Sequence, residues 1–85
     1  MTVRYLQFGE VVKVLAENVW GNSPSRRFSR QGWNGPGQYI ELQNPDKNSK
    51  MTQPYIFIKT VQGDLIPWLV SQADLLAFDW YEVVE

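Results

Sequence analysis

Twelve aromatic side chains, four each of Trp, Tyr and Phe, have to be housed by a chain of only 85 residues. A domain of this size buries about 60–65% of the surface its extended chain would expose. One small core therefore cannot hide every ring, and some belong at a subunit interface or along a pocket. Assembly is a low-cost way for so small a domain to gain buried area. The length suits a single domain spanning residues 1–85.

Eight Lys and Arg against nine Asp and Glu leave a net charge of −1. A duplex-DNA binder normally carries a basic excess, so no nucleic acid polymer is expected as a partner. A small phosphorylated ligand needs only one or two well-placed cations. The chain has no Cys and no His, which removes disulfides, thiol chemistry, the commonest general base and the commonest zinc ligand. No metal or cofactor is expected. No stretch approaches ~18 consecutive apolar residues, and the N-terminus lacks a signal-peptide pattern. The sequence reads as soluble and cytoplasmic, with no membrane partner.

Phe8, Val11, Val12, Leu15, Ala16 and Val19 fall on one helical stripe, opposite Glu10, Lys13, Glu17 and Asn18, and predict a core-packing helix from Phe8 to Asn18. Gly21 to Ser25 is polar, and Pro24 stops any continuation. Arg26 to Gln31 reads as a short strand with Phe28 inward. Gly32 to Gly37 is a tight turn, and Gln38 to Gln43 a half-buried strand with Ile40 and Leu42 on one face. Asn44 to Pro54 is a long surface loop. Tyr55 to Val61 is a strand that turns at Gln62-Gly63-Asp64 into Leu65 and Ile66, where Pro67 should end the ladder. Ser71 and Asp74 fit the two ends of a capping box for a short helix through Ala77. Asp79 to Val84 closes the domain as a strand. The expected class is α+β: a small antiparallel sheet with an N-terminal amphipathic helix and a short helix before the last strand.

Trp33 sits between glycines in a turn, where a ring either stacks on a base or sugar or folds back as a lid on the core or on another subunit. Gly35 and Gly37 can bring backbone N–H groups close to a phosphate or simply make the turn. Arg26, Arg27 and Arg30 are the one basic cluster. Charge defence of a solvated edge strand accounts for Arg26 and Arg27, whereas Arg30, nearest the turn, is a candidate for bidentate phosphate contact. Asp74 is explained by the cap and Asp79 by the turn into the last strand. Neither has a partner in sequence that points to acid–base work, and no Ser-His, Cys-His or Ser-x-x-Lys arrangement occurs. An enzyme is not expected. Ser71 offers a helix N-terminus to an anion. Trp68, just ahead, either places a second ring beside it or packs in the core.

With Phe8-Gly9-Glu10 opening the first helix, the runs Arg30-x-Gly32-Trp33-Asn34-Gly35 and Asp64-x-x-Pro67-Trp68-x-x-Ser71-Gln72-x-Asp74-Leu75-Leu76-Ala77-x-Asp79-Trp80 follow in order over nearly the whole chain. This pattern resembles the second type of Thoeris anti-defence protein, a phage family of signal "sponges". The resemblance implies an α+β fold assembled as a homotetramer with pockets at subunit interfaces. It implies capture, without cleavage, of glycocyclic ADP-ribose, the signal of bacterial Thoeris immunity, in the cytoplasm of the infected host. Some relatives also hold cyclic dinucleotides of CBASS in separate pockets. Carried over, Trp33 and Asn34 would stack on and hydrogen-bond the nucleotide, and Trp68, Ser71, Gln72 and Asp74 would line or support the pocket. The chain departs from the pattern at Val19–Arg27, a link longer than usual. A protein–protein interaction module with an exposed aromatic docking surface is the alternative, and a hydrolase of the same signal a third.

Overall fold

Phe8, Val11 and Leu15 recur three and four residues apart, and they are the residues that helix α1 (Phe8–Ala16) buries in the computed structural model, which describes residues 3–84. At its start, the Gln7 N–H donates to Glu10 Oε1 at 3.3 Å. The helix ends two residues before the expected Asn18. The Asn18 and Val19 N–H groups reach only three residues back, to Leu15 and Ala16, so the last turn tightens. Trp20 then takes a left-handed conformation, φ 55°, which a bulky side chain adopts only when held there. Asn44 holds it: its Oδ1 accepts from the Trp20 N–H at 2.8 Å, and its Nδ2 donates to the Asn18 carbonyl at 2.9 Å.

Five strands form one antiparallel sheet in the order β4-β3-β2-β1-β5, with β1 Arg27–Arg30, β2 Tyr39–Gln43, β3 Tyr55–Lys59, β4 Leu65–Pro67 and β5 Trp80–Val83. Alternation decides the faces. Phe28 pairs with Ile40 and Ile40 with Ile58, while Leu42 pairs with Ile56, and this apolar face meets α1. Buried Phe28, Ile40, Leu42 and Trp80 pack there with Phe8, Val11 and Leu15. The other face carries Tyr39, Glu41, Phe57 and Lys59 in adjacent pairs. On it the Arg27 guanidinium lies 4.6 Å from the centre of the Tyr39 ring.

Three expectations are corrected. Val12, Ala16 and Val19 are exposed rather than buried. Nine helical residues cover only part of a five-stranded sheet, and the flank of α1 instead borders an open groove of about 360 Å³ shared with Leu42, Pro54, Tyr55, Ile56 and Trp68. The strand carrying the arginines is not an edge. β1 lies between β2 and β5, and the cations at its start have acid partners: Arg26, just before it, bonds Glu82 at 2.6 and 2.7 Å, and Arg27 bonds Glu41 at 3.0 Å. Pro67 does not end the pairing of β4. The Trp68 N–H still donates to the Ile56 carbonyl at 3.0 Å. By alternation the nitrogen of Pro67 faces away from β3, at the sheet's edge, where no donor is needed.

Trp80 is wholly buried at 0% exposure, and its Nε1–H donates to the Asp74 carbonyl at 2.9 Å. Trp80→Ala should lower the unfolding free energy by about 3–5 kcal/mol, most of what a domain this size possesses. Urea titration followed by far-UV circular dichroism reads this directly, and an unchanged midpoint would show that the indole is not part of the core.

Candidate functional site

Ser71 caps the short helix α2 (Gln72–Leu75), its Oγ accepting from the Asp74 N–H at 3.1 Å. Half of the expected capping box is therefore present. The Asp74 carboxylate is used differently: Oδ1 accepts from Arg30 Nη1 and from Trp33 Nε1, both at 2.8 Å. A carboxylate oxygen has two lone pairs, and here each is filled by a group from 41 or 44 positions away in the sequence. Burial alone would push the Asp74 carboxyl up. The hydrogen bonds from Arg30, Trp33 and Ser71, with the guanidinium charge, outweigh that and hold it below the ordinary carboxylate range.

The same arginine is shared with a second acid. Arg30 Nε donates to Asp79 Oδ1 at 2.7 Å, and the Gly32 N–H donates to Asp79 Oδ2 at 2.8 Å. The Arg30 bond is the larger cause of the depressed Asp79 carboxyl, and the two acids together raise the arginine. A side chain at position 32 would start 3.0 Å from Asp79 Oδ2 and 3.1 Å from Arg30 Nη2. Glycine is needed there because the backbone itself must approach the carboxylate.

Above this network four rings meet. The Trp33 and Trp80 centroids lie 5.2 Å apart, Trp33 and Trp68 6.4 Å, Trp68 and Trp80 6.0 Å, and Phe8 and Trp80 5.3 Å. The Trp contacts are edge-on, the arrangement that ring quadrupoles favour. Trp33 thus lies as a half-buried lid on the core, with its polar atom tethered. Beyond it, Gly35 at φ 93° rests so close to Val61 that a Cβ would come within 2.7 Å of a methyl carbon. The turn after Trp33 is thereby seated on the β3–β4 hairpin.

Of the residues singled out in the sequence, Arg30, Trp33, Trp68, Ser71 and Asp74 converge on this cluster. Asn34, Gly35 and Gln72 are exposed in the same segments. Arg30 is engaged by two carboxylates, and its side chain is 17% exposed. Asp79 and Trp80 were not foreseen as parts of the site. The signal for Asp79 was the pair of acids, Asp74 and Asp79, five positions apart in a segment with no cation of its own, which demanded a cation from elsewhere in the fold.

A small α+β domain whose two tryptophan-bearing segments are pinned together by a shared carboxylate is what the fold and site define. The model of the Thoeris anti-defense 2-like domain matches residues 6–83, and the chain belongs to that family. It is also similar to Thoeris anti-defense 2 of Bacillus phage SP01, at 30% identity covering 88% of this chain and 91% of that one.

Depressed carboxyls set the pH response. Asp74 and Asp79 ionise more readily folded than unfolded, so their contribution is complete above the unfolded value of about 3.9. It is lost as pH falls through their lower folded values. Stability should therefore hold from neutrality down to about pH 5 and then fall. In Asp74→Asn the fall should be shallower, from a lower plateau. Equally steep acid limbs in parent and variant would contradict the assignment.

Proposed function

We propose that this protein opposes Thoeris immunity by binding its nucleotide signal, glycocyclic ADP-ribose, and holding it intact inside the infected bacterial cell. Family membership supports the anti-Thoeris role. The observation that carries the binding mechanism is the convergence of Trp33 and Trp68, 35 residues apart in sequence, on one aromatic cluster. An indole fixed by its own N–H loses little freedom when a base or sugar settles on it. Asn34, the backbone at Gly35, Ser71 and Gln72 supply exposed polar groups in the same segments. Arg30 and Asp74 act as braces beneath them, and cyclic dinucleotides of CBASS are further candidate ligands.

Capture without turnover follows from the same chemistry. A general base works best with a pKa near the operating pH, whereas Asp74 and Asp79 are held ionised by Arg30 and shifted the other way. An effective sponge needs nanomolar affinity, about −12 kcal/mol. Stacking supplies about 1–3 kcal/mol per base, so several contacts must act together. Pockets shared between subunits of a homotetramer supply them, and this is the assembly we propose.

The test is to incubate the purified protein with glycocyclic ADP-ribose, remove free ligand, heat-denature and analyse the released material. Intact signal is expected. Fragments would identify a hydrolase, and no captured ligand would favour a protein-docking module. Asn34→Ala and Gln72→Ala should weaken capture at least tenfold without shifting the melting temperature. Parental affinity in both would remove these residues from the pocket.

A further inference from the structure

Asn34 is the one asparagine of the chain that is followed by glycine. Both residues are exposed, in the turn that leads from Trp33 to β2. Among the described residues the Asn34 side-chain amide has no hydrogen-bond partner, and the Gly35 N–H has no acceptor. The contact with Val61 and the φ of 93° admit only glycine at position 35, so the nitrogen after Asn34 has no Cβ beside it. An unrestrained amide therefore precedes an unhindered backbone nucleophile. Gln38 adds a donor to the pair. Its Nε2 donates to the Asn34 carbonyl and, at 3.3 Å, to the Gly35 carbonyl. The Asn34 carbonyl is conjugated with the Gly35 nitrogen, so loss of the Gly35 proton spreads negative charge onto the oxygen that Gln38 holds. A donor already aimed at a developing oxyanion lowers the cost of forming it. We propose that Asn34–Gly35 is a self-modifying site, primed by Gln38, where loss of the Asn34 amide retires the ligand site.

The Gly35 N–H gives its proton to hydroxide, and its nitrogen bonds to Asn34 Cγ. The Cγ–Nδ2 bond breaks, Nδ2 takes a proton from water and leaves as ammonia, and a succinimide ring closes. Water then opens either C–N bond of that ring, leaving aspartate or isoaspartate at position 34. In total one water is consumed and one ammonia released, with no change of oxidation state. The other asparagines lack this arrangement. The Asn18 and Asn44 side chains are hydrogen-bonded, and Pro45 after Asn44 has no N–H. Asn22 and Asn48 each precede a serine, whose Cβ crowds the nitrogen. The consequence for binding rests on the nucleotide capture proposed above. An amide that donates and accepts becomes a carboxylate that only accepts, set against a ligand that itself carries phosphates. Isoaspartate also adds a backbone atom to a turn seated on Val61.

Mass spectrometry of tryptic digests, taken during incubation in mildly alkaline buffer without any nucleotide, tests the chemistry. Trypsin releases Gln31–Lys47, in which the other asparagine, Asn44, precedes Pro45 and cannot follow this route. Replacement of the amide NH2 by OH should appear in that peptide before those holding Asn22 and Asn48. Gln38→Met, of similar size but without the amide, should slow the conversion about tenfold with unchanged circular dichroism, the worth of one hydrogen bond to a charged oxygen. Fresh protein should capture glycocyclic ADP-ribose, and converted protein should lose that capture. Conversion at Asn34 no faster than at Asn22 and Asn48 would overturn the site, and an unchanged or faster rate in Gln38→Met would overturn the priming. Equal capture by fresh and converted protein would overturn the consequence and leave the proposed function standing. Fresh protein that captures nothing would overturn that function and the consequence together, while the masses alone still decide the chemistry.

Discussion

The Asp74 carboxylate accepts from Arg30 and Trp33 on the far side of the sequence, while the Asp74 carbonyl accepts from the Trp80 indole and its N–H donates to Ser71. Four groups, from Arg30, Trp33, Ser71 and Trp80, therefore close on one residue. The Asp74 and Arg30 side chains are only 14% and 17% exposed. A pair so desolvated adds little net stability when intact, yet is costly to break from one side. Its value is positional. Deleting Asp74 would release helix α2, the turn bearing Trp33 and one arm of Arg30 together, whereas deleting a surface ion pair such as Arg4–Glu10 would release two side chains.

In the function proposed here, that arrangement links stability to grip. A site that must hold a small charged metabolite gains most from surfaces that are already fixed before the ligand arrives. The ring of Trp33 is fixed three ways: from below by Trp80, from the side by Trp68, and through its nitrogen by Asp74. The motif residues that first suggest ligand contact thus divide into two layers. Arg30, Asp74 and Asp79 bond to one another and hold the scaffold, while Asn34 and Gln72 are exposed.

Local features were legible in the sequence because their causes are local. The helix stripe, the alternation of Ile40 and Leu42, the cap at Ser71 and the turn at Gly63 each follow from a few neighbouring residues. What was not legible depends on pairing at a distance. Nothing in Arg26–Gln31 tells that β5 will dock beside it, and that docking is what turns an apparent edge into an interior strand and supplies Glu82 to Arg26. Asp74 satisfies a capping pattern as written, so its longer reach was hidden behind a sufficient local explanation. Trp20 was hidden for the opposite reason: its left-handed backbone depends on Asn44, an unremarked polar residue 24 positions on.

The most direct test of the central claim is the exchange rate of the Trp33 indole N–H, measured by NMR. If one carboxylate pins that ring, the proton is protected in the parent and exchanges freely in Asp74→Ala, which has no side-chain acceptor, while the Trp80 indole, bonded to backbone, stays protected in both. A Trp33 indole proton that exchanges in the parent as fast as an unbonded one would contradict the account.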